Sequence, residues 1–161
     1  MKSRKNIIIA FLLVVFVRYF DNKMIQKRNQ QLELVRQQRE VLDRWLTLKR
    51  RKVSIDNYLE QHGYKKVGIY GLSIIGGHLY NELCHSSIVT RLIGIDRAAV
   101  REYSDIEVFK PDEDFGDVDV IIVTALGDYE NIANKLRTRY SGDIVSMQQV
   151  INECGKYYYD V

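Results

Sequence analysis

Apolar residues run through this chain in two rhythms. Residues 7–17, IIIAFLLVVFV, form one unbroken apolar stretch. From Met24 to Lys52 there is no glycine or proline, and Ile25, Leu32, Val35, Leu42 and the pair Trp45/Leu46 recur at heptad spacing. Beyond residue 53 the rhythm changes to short apolar runs separated by segments of helical length. Ser54 is a good N-cap for a helix over 55–62, and Gly63 supplies the left-handed residue that ends it. Residues 67–70 predict a strand, and 76–83 a helix carrying the Ile75, Leu79 and Leu83 face. Residues 91–96, 106–109, 118–124 and 143–146 predict four more strands. Asp128 opens a helix through 137, and another covers 148–153.

Strands that are apolar on both faces and alternate with helices build a parallel sheet. Right-handed crossovers then give an α/β, doubly wound sheet of about five strands in the order 3-2-1-4-5, behind a long N-terminal helix. Only nine residues join Asp96 to Ile106, and eight join Phe109 to Val118, too few for helical crossovers. Turns are expected to replace helices at that edge.

The formal net charge of +3 hides a division. Residues 1–52 hold fourteen Lys/Arg against four Asp/Glu, and residues 53–161 hold ten against seventeen, so a basic arm precedes an acidic domain. The apolar run lies behind Lys2, Arg4 and Lys5 with no small-residue cleavage pattern after it, which reads as an uncleaved anchor over residues 6–20. As a helix those residues reach roughly 22 Å against a hydrocarbon core of roughly 30 Å, so a full span needs snorkelling or a thinned bilayer. Arg18, Lys23, Lys27, Arg28 and Arg36 follow the run and favour a cytoplasmic C-terminal portion. A helix lying in the interface, or one buried against another subunit, are the other readings. The expected organisation is therefore an anchor at 1–20, a basic helix or coiled coil at 21–52, and a domain at 53–161, membrane-associated with the domain in the cytoplasm. Arg28 and Arg39 fall on seam positions, so residues 24–52 fit either a homo-oligomeric coiled coil or a single helix packing its stripe on the domain. Cys84 and Cys154 do not make a disulfide framework. The basic run at 49–52 and Tyr157, Tyr158 and Tyr159 do not combine into a nucleic-acid surface, and no nucleic-acid partner is expected.

The candidate chemistry lies where the first strand of the domain meets its helix, at Gly71-x-Ser73-x-x-Gly76. In this fold that turn aims backbone N–H groups and the positive helix end at a phosphate. Gly71 permits the tight turn, Gly76 the close approach of helix to sheet, and Gly77 adds latitude. Ser73 stands where glycine normally lets a pyrophosphate touch the backbone. Asp96, twenty residues after Gly76, lies at the end of the second strand, where a carboxylate accepts from a ribose. Thr124 ends the fourth strand over the same crevice. The expected binding set is Gly71, Leu72, Ser73, Ile74, Gly76, Gly77, Asp96, Arg97 and Thr124. The plainer reading gives the glycines to packing, Ser73 to its own backbone and Asp96 to capping a turn. No catalytic or metal-binding residue is expected. His62, His78 and His85 do not combine with the cysteines at ligand spacing, and Asp112, Glu113, Asp114 and Asp117 lack the alternation and glycine of a calcium loop. The single Tyr-x-x-x-Lys pair, Tyr19 and Lys23, lies in the arm.

The segments GYKKVGIYGLSIIGGHLYNEL, IGIDR, DVDVIIVTALGDYENIANKL and DIVSMQQVI, spanning about 54–153, resemble the small Rossmann-type domains of bacterial capsule and exopolysaccharide loci. That resemblance implies a nucleotide or nucleotide-sugar ligand, NAD(P) among the cofactors, and polysaccharide-biosynthesis enzymes as partners. Where the family reads glycine and then a charged residue in the loop, this chain has Ser73 and Ile74. The function so implied is a membrane-tethered nucleotide- or nucleotide-sugar-binding accessory module without catalysis of its own. The alternatives are an NAD-dependent oxidoreductase, epimerase-type or sugar-modifying enzyme subunit, less expected because no substrate domain accompanies the cofactor fold, and a degenerate Rossmann scaffold used for docking.

Overall fold

The computed structural model describes residues 2–98 and 105–159, with side chains over 16–98 and 105–156. The chain divides into two compact units, Met1–Arg36 and Gln37–Val161. The first is helical throughout its described part, the opening portion of α1 (Lys2–Arg50). Its described apolar side chains, among them Met24, Ile25, Leu32 and Val35, are exposed. Among the described residues no helix is long and apolar enough to cross a membrane. The run expected to anchor the chain falls mostly on residues 7–15, outside the described side chains.

The second unit is an α/β domain of Rossmann-like type. Its elements follow the order α2 (Ile55–His62), β1 (Lys66–Tyr70), α3 (Ile74–Leu83), β2 (Arg91–Ile95), β3 (Glu107–Phe109), β4 (Val120–Val123), α4 (Tyr129–Leu136), β5 (Asp143–Ser146) and α5 (Met147–Tyr159). The five strands are parallel in the order β3-β2-β1-β4-β5, as the alternation of apolar runs and helices requires. Val67 pairs with Leu92 on one side and Val120 on the other, so β1 is central and the strand order reverses between it and β4. Between Phe109 and Val120 the chain forms turns and no helix, which is the reduced edge that the short connection demands.

The two faces of the sheet are covered unequally. Val67, Ile69, Val120 and Ile122 point to a layer made by α2, α3, α5 and the last turns of α1, where Ile55, Leu59, Ile75, Leu79, Met147 and Val150 are buried. Tyr70, Ile93, Ile121 and Val123 point the other way, onto Ile132 and Leu136 of α4 and onto Phe115 from the turn before β4. This alternation is the two-residue period of a strand buried on both sides.

The boundary between units falls at Arg36/Gln37, earlier than the one expected near residue 53, because Val41, Trp45 and Leu48 belong to the domain core. Packing of the helix on its own domain therefore holds for residues 41–48: of the expected stripe Trp45 is buried and Leu42 half-buried against the core, Leu46 is exposed, and Val41 and Leu48 complete the packed face. Glu82 fastens this contact. Its carboxylate, 8% exposed, accepts from the Trp45 indole Nε1–H at 2.8 Å and from the Ile55 N–H at 2.9 Å, and it pairs with Lys49 Nζ at 2.7 Å. A buried carboxylate is tolerable only with its oxygens satisfied in this way.

Candidate functional site

The site begins with the geometry of one turn. As β1 ends, Gly71 takes φ +91°, a left-handed conformation that disfavours any side chain. Its N–H donates to the Ile95 carbonyl at 2.9 Å, which ties the turn to the end of β2. A Cβ on Gly76 would fall on the carbonyl oxygen of Gly71 and 3.2 Å from Thr124 Oγ1, so only glycine lets α3 start this close to the sheet. Gly71 and Gly76 thus stand against each other, as their spacing requires.

α3 opens at Ile74 with Ser73 as its N-cap residue. The Gly77 N–H makes an early helical bond, to the Ser73 carbonyl at 2.7 Å. An α-helix has no partner of its own for its first four N–H groups, and Ser73 makes no side-chain bond to them. These amides and the helix dipole leave partial positive charge at the carboxyl edge of the sheet, beside the reversal of strand order. The side chains of Ser73 and Ile74 are exposed, Ile74 at 71%, so neither folds into the core of the turn.

The remaining residues of the expected set take less direct positions. The Leu72 side chain is buried, and its N–H donates to Asp96 Oδ2 at 2.6 Å. The other oxygen of Asp96 accepts from the Ala98 N–H at 2.9 Å. The carboxylate therefore bridges the turn after β1 and the turn after β2, and each oxygen keeps further acceptor capacity. Arg97 follows it on the surface, exposed. Thr124, 2% exposed, holds its hydroxyl 3.1 Å from the Tyr70 carbonyl and 2.5 Å from that of Gly71. That hydroxyl faces inward and braces the turn from β4; it does not line an open crevice. Gly71, Leu72, Asp96 and Thr124 are thus brought into one hydrogen-bonded turn, with Ser73, Ile74 and the first amides of α3 on its open side.

The sequence reading did not anticipate a second opening at this edge. Leu126, Gly127, Asp128, Tyr129, Ser146 and Gln148 surround a cleft of about 250 Å³ beyond β4 and β5. Gly127–Asp128 after an apolar strand was the available signal. The cleft is smaller than the roughly 300–1,000 Å³ of small-molecule sites, so it does not enclose a nucleotide by itself. A larger cleft of about 580 Å³ lies between α1 and α5, lined by residues such as Arg44, Leu48, Ile151 and Lys156. It is a gap between helices and contains none of the turn residues.

Titration is perturbed away from this turn. Burial is the main cause that raises Tyr64, whose hydroxyl also donates to Asp143 at 2.5 Å, and burial likewise raises Tyr140. Asp119 is held below the usual carboxylate range by the N–H groups of Lys65 and Lys66. Burial pushes the Cys154 thiol up to about 12. These groups brace the amino edge of the sheet and the helical layer; none belongs to a nucleophile–base pair. Among the described residues no cluster of His, Cys, Asp and Glu could hold a metal ion.

No family model, curated protein or solved structure matches the chain.

Proposed function

We propose that this protein is a binding module for a phosphorylated ligand of the nucleotide or nucleotide-sugar class, held at the carboxyl edge of the sheet without chemistry of its own. The observation that carries this reading is the turn itself. A left-handed Gly71 lies against a Gly76 that admits no Cβ, with uncapped helix amides on one side and the Asp96 carboxylate on the other. Phosphate oxygens suit the amides, and sugar hydroxyls suit the remaining lone pairs of Asp96.

In this proposal the basic, apolar arm tethers the module to a membrane, with the domain on the cytoplasmic side, and the ligand belongs to cell-surface polysaccharide assembly. The support for that setting is the charge division and apolar run of the arm, and the likeness of the loop and strand motifs to domains of capsule loci. A docking scaffold is the second reading. It is favoured by one observation: Asp96 already occupies the Leu72 amide, so one donor of the turn is spent before any ligand arrives.

Calorimetric titration of the full chain in neutral detergent with a UDP-sugar, NAD, CoA and inorganic phosphate tests the proposal. Saturable binding of a nucleotide, tighter than that of phosphate, is the expected result. Folded protein that takes up none of the four leaves the scaffold. Turnover of a nicotinamide cofactor would replace the module by an enzyme.

A further inference from the structure

The turn at Gly71 and the small cleft beyond β4 and β5 are neighbours. A Cβ on Gly71 would stand 3.7 Å from the Ala125 nitrogen, and the Thr124 hydroxyl already holds the Gly71 carbonyl at 2.5 Å. The segment that enters the cleft at Leu126 therefore starts beside the turn. β4 pairs with β1 on one side and with β5 on the other. Strands lie roughly 5 Å apart, so the cleft is about 5–10 Å from the turn along the carboxyl edge, within reach of a ring joined to a diphosphate. Its volume of about 250 Å³, roughly the share of eight liquid waters, suits one such ring with its hydroxyls.

The polar groups of the cleft come from two places in the chain. Asp128, Glu130 and Asn131 stand at the start of α4, and Ser146 and Gln148 at the junction of β5 with α5. Carboxylates in the first turn of α4 suit its dipole on their own account, but the groups facing them belong to another element. Ser146 Oγ accepts from the Gln149 N–H at 3.1 Å, which leaves its own proton to donate. The Asn131 amide takes one oxygen of Asp128 at 2.6 Å and leaves the other open. Among the described residues no Lys, Arg or His lines the cleft. An occupant rich in hydroxyls finds acceptors and donors there, whereas a carboxylate on it would meet two like charges and no cation.

We infer that this cleft receives the sugar of a nucleoside diphosphate sugar whose phosphates lie on the α3 amides, and that it selects a neutral sugar against a uronic acid. The inference rests on the ligand reading of the turn and adds to it the class of sugar. Asp128 and Glu130 set the selection by charge, and Ser146 and Gln148 hold the hydroxyls from the opposite side.

Calorimetric titration of the full chain in neutral detergent, at about 0.15 M salt, with UDP, UDP-glucose and UDP-glucuronate tests it. UDP-glucose should bind about fivefold or more tighter than UDP-glucuronate. The double variant Asp128→Asn, Glu130→Gln should narrow that gap to about twofold, and Gln148→Lys, which brings a cation to the cleft, should reverse the order. These side chains are exposed, and circular dichroism checks that the variants fold. Equal affinity for the two sugars, or a preference that neither variant moves, overturns the inference while UDP binding leaves the turn standing. Folded protein that takes up neither UDP nor either sugar nucleotide overturns the ligand reading and this inference with it.

Discussion

Replacing Ser73 by aspartate drives stability and binding in opposite directions if the turn receives an anion. Ser73 is exposed at the N-cap of α3 and makes no capping bond, so the new side chain meets no packed neighbour. A carboxylate there complements the helix dipole and stabilises the fold by about 0.3–1 kcal/mol. A phosphate held by the same amides would lie roughly 5 Å from that carboxylate. At effective dielectric constants between about 80 and 20, the repulsion is about 1–3 kcal/mol for each phosphate charge. Affinity should fall about five- to 150-fold while the melting temperature rises by about 1–5 °C. Calorimetric titration with a UDP-sugar beside a thermal scan reads both quantities on one preparation. Ser73→Asn, a neutral cap of similar size, should leave affinity within about twofold. If Ser73→Asp binds as well as the parent, the amides are not the anion site; if stability falls together with binding, the N-cap assignment is wrong.

Other outcomes follow from contacts already described. Gly76→Ala should cost about 3 kcal/mol or more, read by urea denaturation, because the Gly71 carbonyl must leave both its turn and Thr124. Glu82→Ala should cost about 3–5 kcal/mol by leaving the Trp45 indole, the Ile55 amide and Lys49 unanswered, and should also change the emission of the single tryptophan. A thiol reagent at pH 8 should label Cys84 alone in the native chain and both cysteines in urea, since burial holds the Cys154 thiol near 12, far above the working pH.

Strand positions were legible because each is a short run of valine and isoleucine with a polar boundary, and the crossover rule left few orders for five such strands. Helix starts were harder to read. α3 begins at Ile74, two residues before the position inferred from Gly76, because glycine reads as loop until its contact with the Gly71 carbonyl is seen. α5 runs unbroken through Gly155 to Tyr159, past the residue 153 expected for its end. In α1 the heptad spacing left Trp45 and Leu46 as alternatives, and local spacing cannot say which the domain will take; the domain takes Trp45, whose indole N–H donates to Glu82. The turn glycines could be identified from spacing alone, since their roles are set by backbone geometry. The plainer reading of Asp96, as the cap of the turn after β2, matches its bond from the Ala98 N–H, but its bond from the Leu72 N–H and the inward hydroxyl of Thr124 were not legible, because the direction of a side chain at a strand end depends on neighbours twenty to fifty residues away.

Glu82 has a mechanical consequence. It fastens α1 to the last turn of the helix whose first turn opens the candidate site. A pull on the last turns of α1 would reach the domain through the Glu82 carboxylate and load α3 at the end opposite Ser73.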